Sequence, residues 1–217
     1  MKWREERLMA GRRGQQGSGR SPYSAAMTRE QFLFYEMRTT ARLLHEGDSP
    51  DEVEARIVAE NLFQYPTERM LGRMARACLR RIVALDDPGL VEALANAPFD
   101  EAKQIALYAM MKSYVLVAEF MVTVVGEKYR TRDFALGKAD ITAFFLRLRE
   151  QDDVVAAWSD ATITKLRQVL VKTLAENAYL DNVRAERLNP VWLSPALERT
   201  IRAHGDEILL PAFNCFS

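Results

Sequence analysis

From Thr28 onward, apolar side chains recur every three to four positions, in stretches separated by short clusters of Gly, Pro, Asn and Asp. That period lines them along one face of an α-helix. Leu33, Met37, Ala41 and Leu44 mark the first stretch, opened by Thr28 and ended by Gly47, a residue suited to the left-handed position after a helix. Ser49, Pro50 and Glu52 form the opening signature of a second, short helix, with Val53, Ile57 and Val58 on its apolar side. A turn at 61–66 leads to a longer helix over 67–85, and a short helix at 90–97 stops at Pro98. Asp100 is placed to cap a long apolar helix reaching about Gly126. Amphipathic helices follow at 139–149, at 161–177 behind Ser159, and at 195–204. Only 182–193, with Val183, Ala185 and Arg187 before Leu188, Pro190 and Val191, reads as a short ribbon. The pattern predicts a mainly α protein with three parts. Residues 1–21 are a mobile basic tail, 22–98 an N-terminal helical domain, and 99–217 a C-terminal helical domain of winged-helix-like layout.

The helix over 67–85 carries the first candidate chemistry. Its apolar face is Leu71, Met74, Ala75, Cys78, Leu79 and Ile82, while Arg69, Arg73, Arg76 and Arg80 share the opposite stripe with Arg81 beside them. Glu68 is the one acid in the segment, so the cations have little to pair with inside the helix. A planar, permanently charged guanidinium suits phosphate oxygens and guanine edges. Coming after a capped helix and a turn, the segment has the layout of a helix-turn-helix. The plainer alternative is a helix whose arginines pair with Glu54, Glu60, Asp86 or Asp87 across the fold.

A second candidate begins at Trp158-Ser159. Thr162, Lys165, Arg167, Gln168 and Lys172 avoid the seam of Ile163, Leu166, Leu170 and Leu174, and cations, hydroxyls and amides near a helix start contact phosphates and bases. The ribbon that follows, with Arg184 and Arg187, sits where a winged helix places its wing. The alternative is that Ser159 is an ordinary cap and the lysines a solvated face.

Composition narrows the classes. The 217 residues are 48% hydrophobic, enough for one large core or two small ones. Thirty basic and thirty acidic residues cancel, so recognition of a polyanion must come from local asymmetry. Cys78 and Cys215 cannot make a disulfide framework, and neither His45 nor His204 has a metal-ligand partner at the usual spacing. No nucleophile elbow, P-loop or dinucleotide turn is present, so neither an enzyme nor a cofactor is expected. The apolar run 105–126 is interrupted by Lys112, Ser113 and Glu119 and reads as a core helix rather than a membrane span. Without a secretory signal pattern, the cytoplasm is the expected compartment.

Several fragments together resemble the BrxA family of BREX bacteriophage-exclusion systems. They are Tyr23-Ser24-Ala25, Glu60-Asn61-Leu62 and the arginines after it, Glu127-Lys128-Tyr129, Lys138-Ala139-Asp140 and Phe144-Phe145. Trp158-Ser159 with Thr162 and 165–170, then Leu193-Ser194-Pro195, complete the set. The resemblance implies an all-helical, two-lobed cytoplasmic protein, likened to the NusB antitermination factor, that binds double-stranded DNA. It also implies a gene neighbourhood containing a DNA methyltransferase and a large ATPase; no membrane and no small-molecule substrate are expected as partners. It assigns no contact residues, so the expected DNA-binding set is the two clusters above. An RNA-binding protein and a protein–protein adaptor are the rival readings.

Overall fold

The structure is a computed structural model and describes residues 21–216. The expected basic tail lies almost entirely outside the described residues. After a 3₁₀ turn at Ala26–Thr28, the helices in order are α1 (Phe34–Glu46), α2 (Pro50–Ala59), α3 (Glu68–Val83), α4 (Pro88–Asn96) and α5 (Phe99–Ser113). Then come α6 (Val115–Phe120), a π-helical turn (Met121–Gly126), α7 (Glu127–Thr131), α8 (Lys138–Gln151), α9 (Asp153–Ala156), α10 (Asp160–Glu176) and α11 (Pro195–Ala203). A 3₁₀ segment at Glu207–Phe213 closes the fold. The protein is mainly α, as its apolar period predicts.

Local chemistry sets most helix starts. Ser49, Thr67, Asp87 and Ser159 each accept the backbone N–H three residues on, at Glu52, Met70, Leu90 and Thr162. The Glu52 carboxylate returns the bond to the Ser49 N–H at 2.8 Å, completing a capping box. The first helix departs from expectation. The Thr28 hydroxyl donates to the Ala25 carbonyl instead of capping, and α1 begins only at Phe34, after Leu33 at φ 59°. The reason lies in the intervening segment, where the carbonyls of Glu30, Gln31 and Phe32 turn toward the buried Arg81 guanidinium.

The long apolar helix is also revised. It breaks at Tyr114, whose backbone is extended (φ −129°, ψ 108°), and the chain bends by 113° between Phe99–Ser113 and Val115–Thr131. Extension at this residue lets the phenol donate to Glu30 Oε2 at 2.6 Å and accept from Arg80 Nη2 at 3.2 Å. The Tyr114 ring also lies 5.1 Å from the Arg81 guanidinium carbon. No single helix among the described residues is long and apolar enough to cross a membrane. Farther on, a Cβ at Gly126 would stand 2.9 Å from Pro211 Cβ, so only glycine admits this contact between the π-helical turn and the last 3₁₀ segment.

One large apolar cluster runs from Tyr23 to Phe213 and includes Cys78, Ile82, Leu90 and Leu94 together with α5, α8 and α10 residues. It therefore crosses residue 98. A smaller cluster of Leu43, Val53, Ile57, Leu71, Ala75 and Leu79 joins α1, α2 and α3. The segment 182–193 forms no hairpin of its own. Leu136 N–H donates to Glu186 O and Leu188 N–H to Phe134 O, both at 2.8 Å, around an isolated bridge between Ala135 and Arg187. The expected wing is instead a loop pinned against the 132–137 connector, because Leu136 and Leu188 are both drawn into the core.

Candidate nucleic-acid interface

The arginine stripe lies on α3 as the spacing predicts, but its members meet different fates. Arg81 is completely buried and donates to the carbonyls of Glu30, Gln31 and Phe32 at 2.5, 2.8 and 2.7 Å. It is a structural cation, withdrawn from any surface contact. Arg76 pairs with Glu54 of α2, one of the cross-fold partners foreseen. Arg80 pairs with Glu30 Oε2 at 2.5 Å and donates to the Tyr114 hydroxyl. Burial works against the Arg80 charge, yet the Tyr114 and Glu30 contacts outweigh it and hold the guanidinium above its ordinary pKa. Arg69 is exposed, and Arg73 is half-buried with no ion pair among the described residues. The helix-turn-helix layout is looser than expected, since the connection over residues 60–67 is eight residues long against the usual three to four.

The second cluster is better organised. Helices α8 and α10 flank a groove of about 540 Å³ lined by Lys138, Ile141, Thr164, Lys165, Arg167, Gln168, Val169, Val171 and Lys172, with Gln31 and Val183 at its edges. Four of these side chains are cations, two are amides, and none is a carboxylate. Arg167 is steadied by donation to the Lys138 carbonyl at 3.3 Å. Lys172 reaches Gln31 Oε1 at 3.1 Å and Glu176 at 3.5 Å. Lys165 and Lys172 are two turns apart, roughly 10 Å along the helix axis, comparable with the ~12 Å major groove of B-DNA.

Three other expected contacts sit outside this lining. Thr162 belongs to the cap, its hydroxyl 3.0 Å from Ser159 Oγ. Arg187 lies over the Phe134 ring at 5.7 Å, and Arg184 is exposed on the pinned loop. Lys138 and Gln31 are the members that sequence pattern missed. Lys138 carried a signal as the first residue of a helix whose start is fixed by Asp140 accepting the Gly137 N–H at 2.7 Å. Gln31 carried none, because it comes from a segment 141 residues away from Lys172.

Two further depressions adjoin the groove. One of about 240 Å³ shares Thr164 and Arg167 with it and adds Arg149, which pairs with Asp160 of the same lining at 3.7 Å. The other, of about 610 Å³, shares Gln31 and Lys172 and brings in Arg29, Arg73 and Lys103. Arg73 of the stripe and the α10 cations thus lie along one track, with Lys172 between them.

The sequence pattern of the BrxA family matches residues 21–205, which include α8, α10 and the whole track. The chain belongs to the BrxA family. A relative in Bacillus cereus (strain H3081.97), named BREX protein BrxA, is 34% identical over 189 residues, covering 87% of this chain and 94% of that protein. Another of the same name in Escherichia coli O9:H4 (strain HS) is 27% identical over 175 residues, covering 81% of this chain and 82% of its own. The fold matches the crystal structure of an uncharacterized protein from Magnetospirillum magneticum with a TM-score of 0.77 at 22% identity, covering 89% of this chain and 98% of that one.

Proposed function

We propose that the protein is a non-catalytic, duplex DNA-binding component of a BREX phage-defence system, held mainly through phosphates. The observation that carries this reading is the groove between α8 and α10, with Lys138, Lys165, Arg167 and Lys172 on its walls and no carboxylate in its lining. An acid-free cationic groove in a chain of zero formal net charge is the local asymmetry that polyanion recognition requires. Family membership supports the defence context, in which a methyltransferase and an ATPase of the system are further proposed partners. Of the two expected clusters, this reading gives the main contact to α10 and not to the α3 stripe, since Arg76 and Arg80 are engaged with Glu54 and Glu30.

Fluorescence anisotropy with a labelled blunt duplex tests it. Lys165→Glu with Lys172→Glu is expected to weaken binding at least about tenfold, and Arg76→Ala less than about twofold, because only the first pair removes phosphate contacts. Unchanged affinity in the double variant overturns the groove as the interface. Displacement of the duplex by stoichiometric structured RNA would make RNA the ligand instead. A protein-adaptor reading has one observation in its favour, the acidic and apolar face formed by Asp51, Glu54 and Glu68 around Ala55, Val58 and Ala59. It predicts no measurable nucleic-acid binding at physiological salt.

A further inference from the structure

The depression at the Lys172 end of the groove differs in kind from the groove itself. Tyr35 stands in its wall 70% exposed, although large aromatic rings are ordinarily withdrawn from water. Its ring is held by edge contacts to Phe34 at 5.3 Å and Phe99 at 6.5 Å, so one face is fixed in direction while the side chain remains open to solvent. Tyr65 lines the same space and donates its hydroxyl to Glu36 Oε1 at 2.6 Å, leaving Oε2 with no partner among the described residues. Arg73 borders the space, and its buried Nε has no acceptor among the described residues.

Signs and shape together select the ligand. A pocket for phosphate alone has no use for the two carboxylates in this lining, Glu36 and the Lys172-paired Glu176. A nucleotide needs both signs: cations for its phosphate, and a carboxylate to accept from base N–H groups. It also gains from an aromatic face on which the base can stack. The volume of about 610 Å³ falls within the range of small-ligand pockets. Lys172 borders both spaces, paired with Glu176 at 3.5 Å on the pocket side, so a strand lying in the groove reaches the pocket mouth at this lysine. A paired base cannot enter without leaving its stack, whereas an unpaired one enters without that cost.

We propose that this pocket, formed around Tyr35, Tyr65, Glu36 and Arg73, receives an unpaired nucleotide of the DNA held in the α8–α10 groove. The protein then prefers duplexes carrying a single-stranded tail or gap to fully paired ones. This rests on the DNA-binding reading above, and the experiment separates the two. Affinities of the full-length protein are measured for a blunt duplex and for the same duplex with a four-nucleotide tail, on the 5′ or the 3′ strand, with 2-aminopurine at the first unpaired position.

The expected result is about five- to tenfold tighter binding of one tailed form, the gain from a single stacked base, with quenching of the 2-aminopurine. Tyr35→Ala, an exposed position whose loss leaves the core intact, should abolish the gain and the quenching while leaving blunt-duplex affinity unchanged. Tyr35→Phe should retain both. Equal affinity of wild type for blunt and tailed duplexes overturns the pocket and leaves the groove standing. A tail preference that survives in Tyr35→Ala overturns the assignment to this pocket. No binding to either DNA overturns the groove reading, and this inference with it.

Discussion

The guanidinium of Arg81 occupies the point where the carbonyls of Glu30, Gln31 and Phe32 converge, under the ring of Tyr114. Removing it leaves those carbonyls buried without a donor, at about 1–3 kcal/mol for each unsatisfied group. Arg81→Ala is expected to cost at least about 3 kcal/mol, and Arg69→Ala, at an exposed site, within about 0.5 kcal/mol. Denaturant melts of the two variants check the contrast. Sequence alone placed both residues in one cluster, since helical spacing locates Arg81 beside the stripe but does not reveal three carbonyls from about fifty residues away. Cys78 was legible. It lies on the apolar side of α3, and burial pushes its thiol up to about 12. Burial likewise raises the phenols of Tyr129 and Tyr179. Each fold-state pKa lies above its unfolded value, so on raising the pH the unfolded chain loses these protons first and is favoured. The stability these three groups contribute is therefore level below about pH 8.5 and is lost as the pH rises from about 9 to 12, a decline that melting temperatures taken from pH 8 to 11 would register. At pH 8, iodoacetamide should modify the half-buried Cys215 and spare Cys78 in the native protein.

At the scale of the element, the caps were the most readable feature because they are local. A Ser, Thr or Asp three residues before the N–H it accepts is present in the fold at Ser49, Thr67, Asp87 and Ser159. Thr28 and Asp100, the other expected caps, do not cap: Asp100 lies in the first turn of α5, which begins at Phe99. Ser159→Ala should remove about 1 kcal/mol of stability and lower the melting temperature by about 2–4 °C, with α10 fraying at the end that carries Thr164 and Lys165. Amide hydrogen exchange localised to that first turn would distinguish fraying from a global loss. What the local pattern missed depends on remote partners. Tyr114 breaks the apolar helix to reach Glu30 and Arg80. Leu188 pairs with the connector at Phe134, not with its own neighbours. The alternation at 182–193 marks neither a hairpin nor a core face, since Val183 is 56% exposed and only Leu188 of the segment is buried.

At the scale of the molecule, thirty cations and thirty anions leave no net charge, so binding to a polyanion depends on how the charges are segregated. The groove gathers Lys138, Lys165, Arg167 and Lys172, while Asp51, Glu54 and Glu68 collect around the outer face of α2. If each groove cation meets one phosphate, log affinity should fall with log salt at a slope of about −4. In the Lys165→Glu, Lys172→Glu variant the slope should lose about two units. A slope near −6 would require Arg69, Arg76 and Arg80 to join the contact, and hence the Arg76–Glu54 and Arg80–Glu30 pairs to open. The two candidate clusters were both visible in the sequence. That they adjoin through Lys172 and Gln31 was not, because the junction is made by the fold.

The Tyr23 hydroxyl donates to Glu119 Oε2 at 2.5 Å across a sequence separation of 96 residues, and Tyr114 grips Glu30 across 84. During synthesis, the first described residues therefore have no place to dock until the bent apolar segment has left the ribosome. At about 5–20 residues per second, that wait lasts on the order of 5–20 seconds. For that interval Tyr23 is without its Glu119 acceptor on the nascent chain, while the segment 30–32 can already meet Arg81 once α3 is made. The described start of the chain, though translated first, completes its contacts only once α6 has been made.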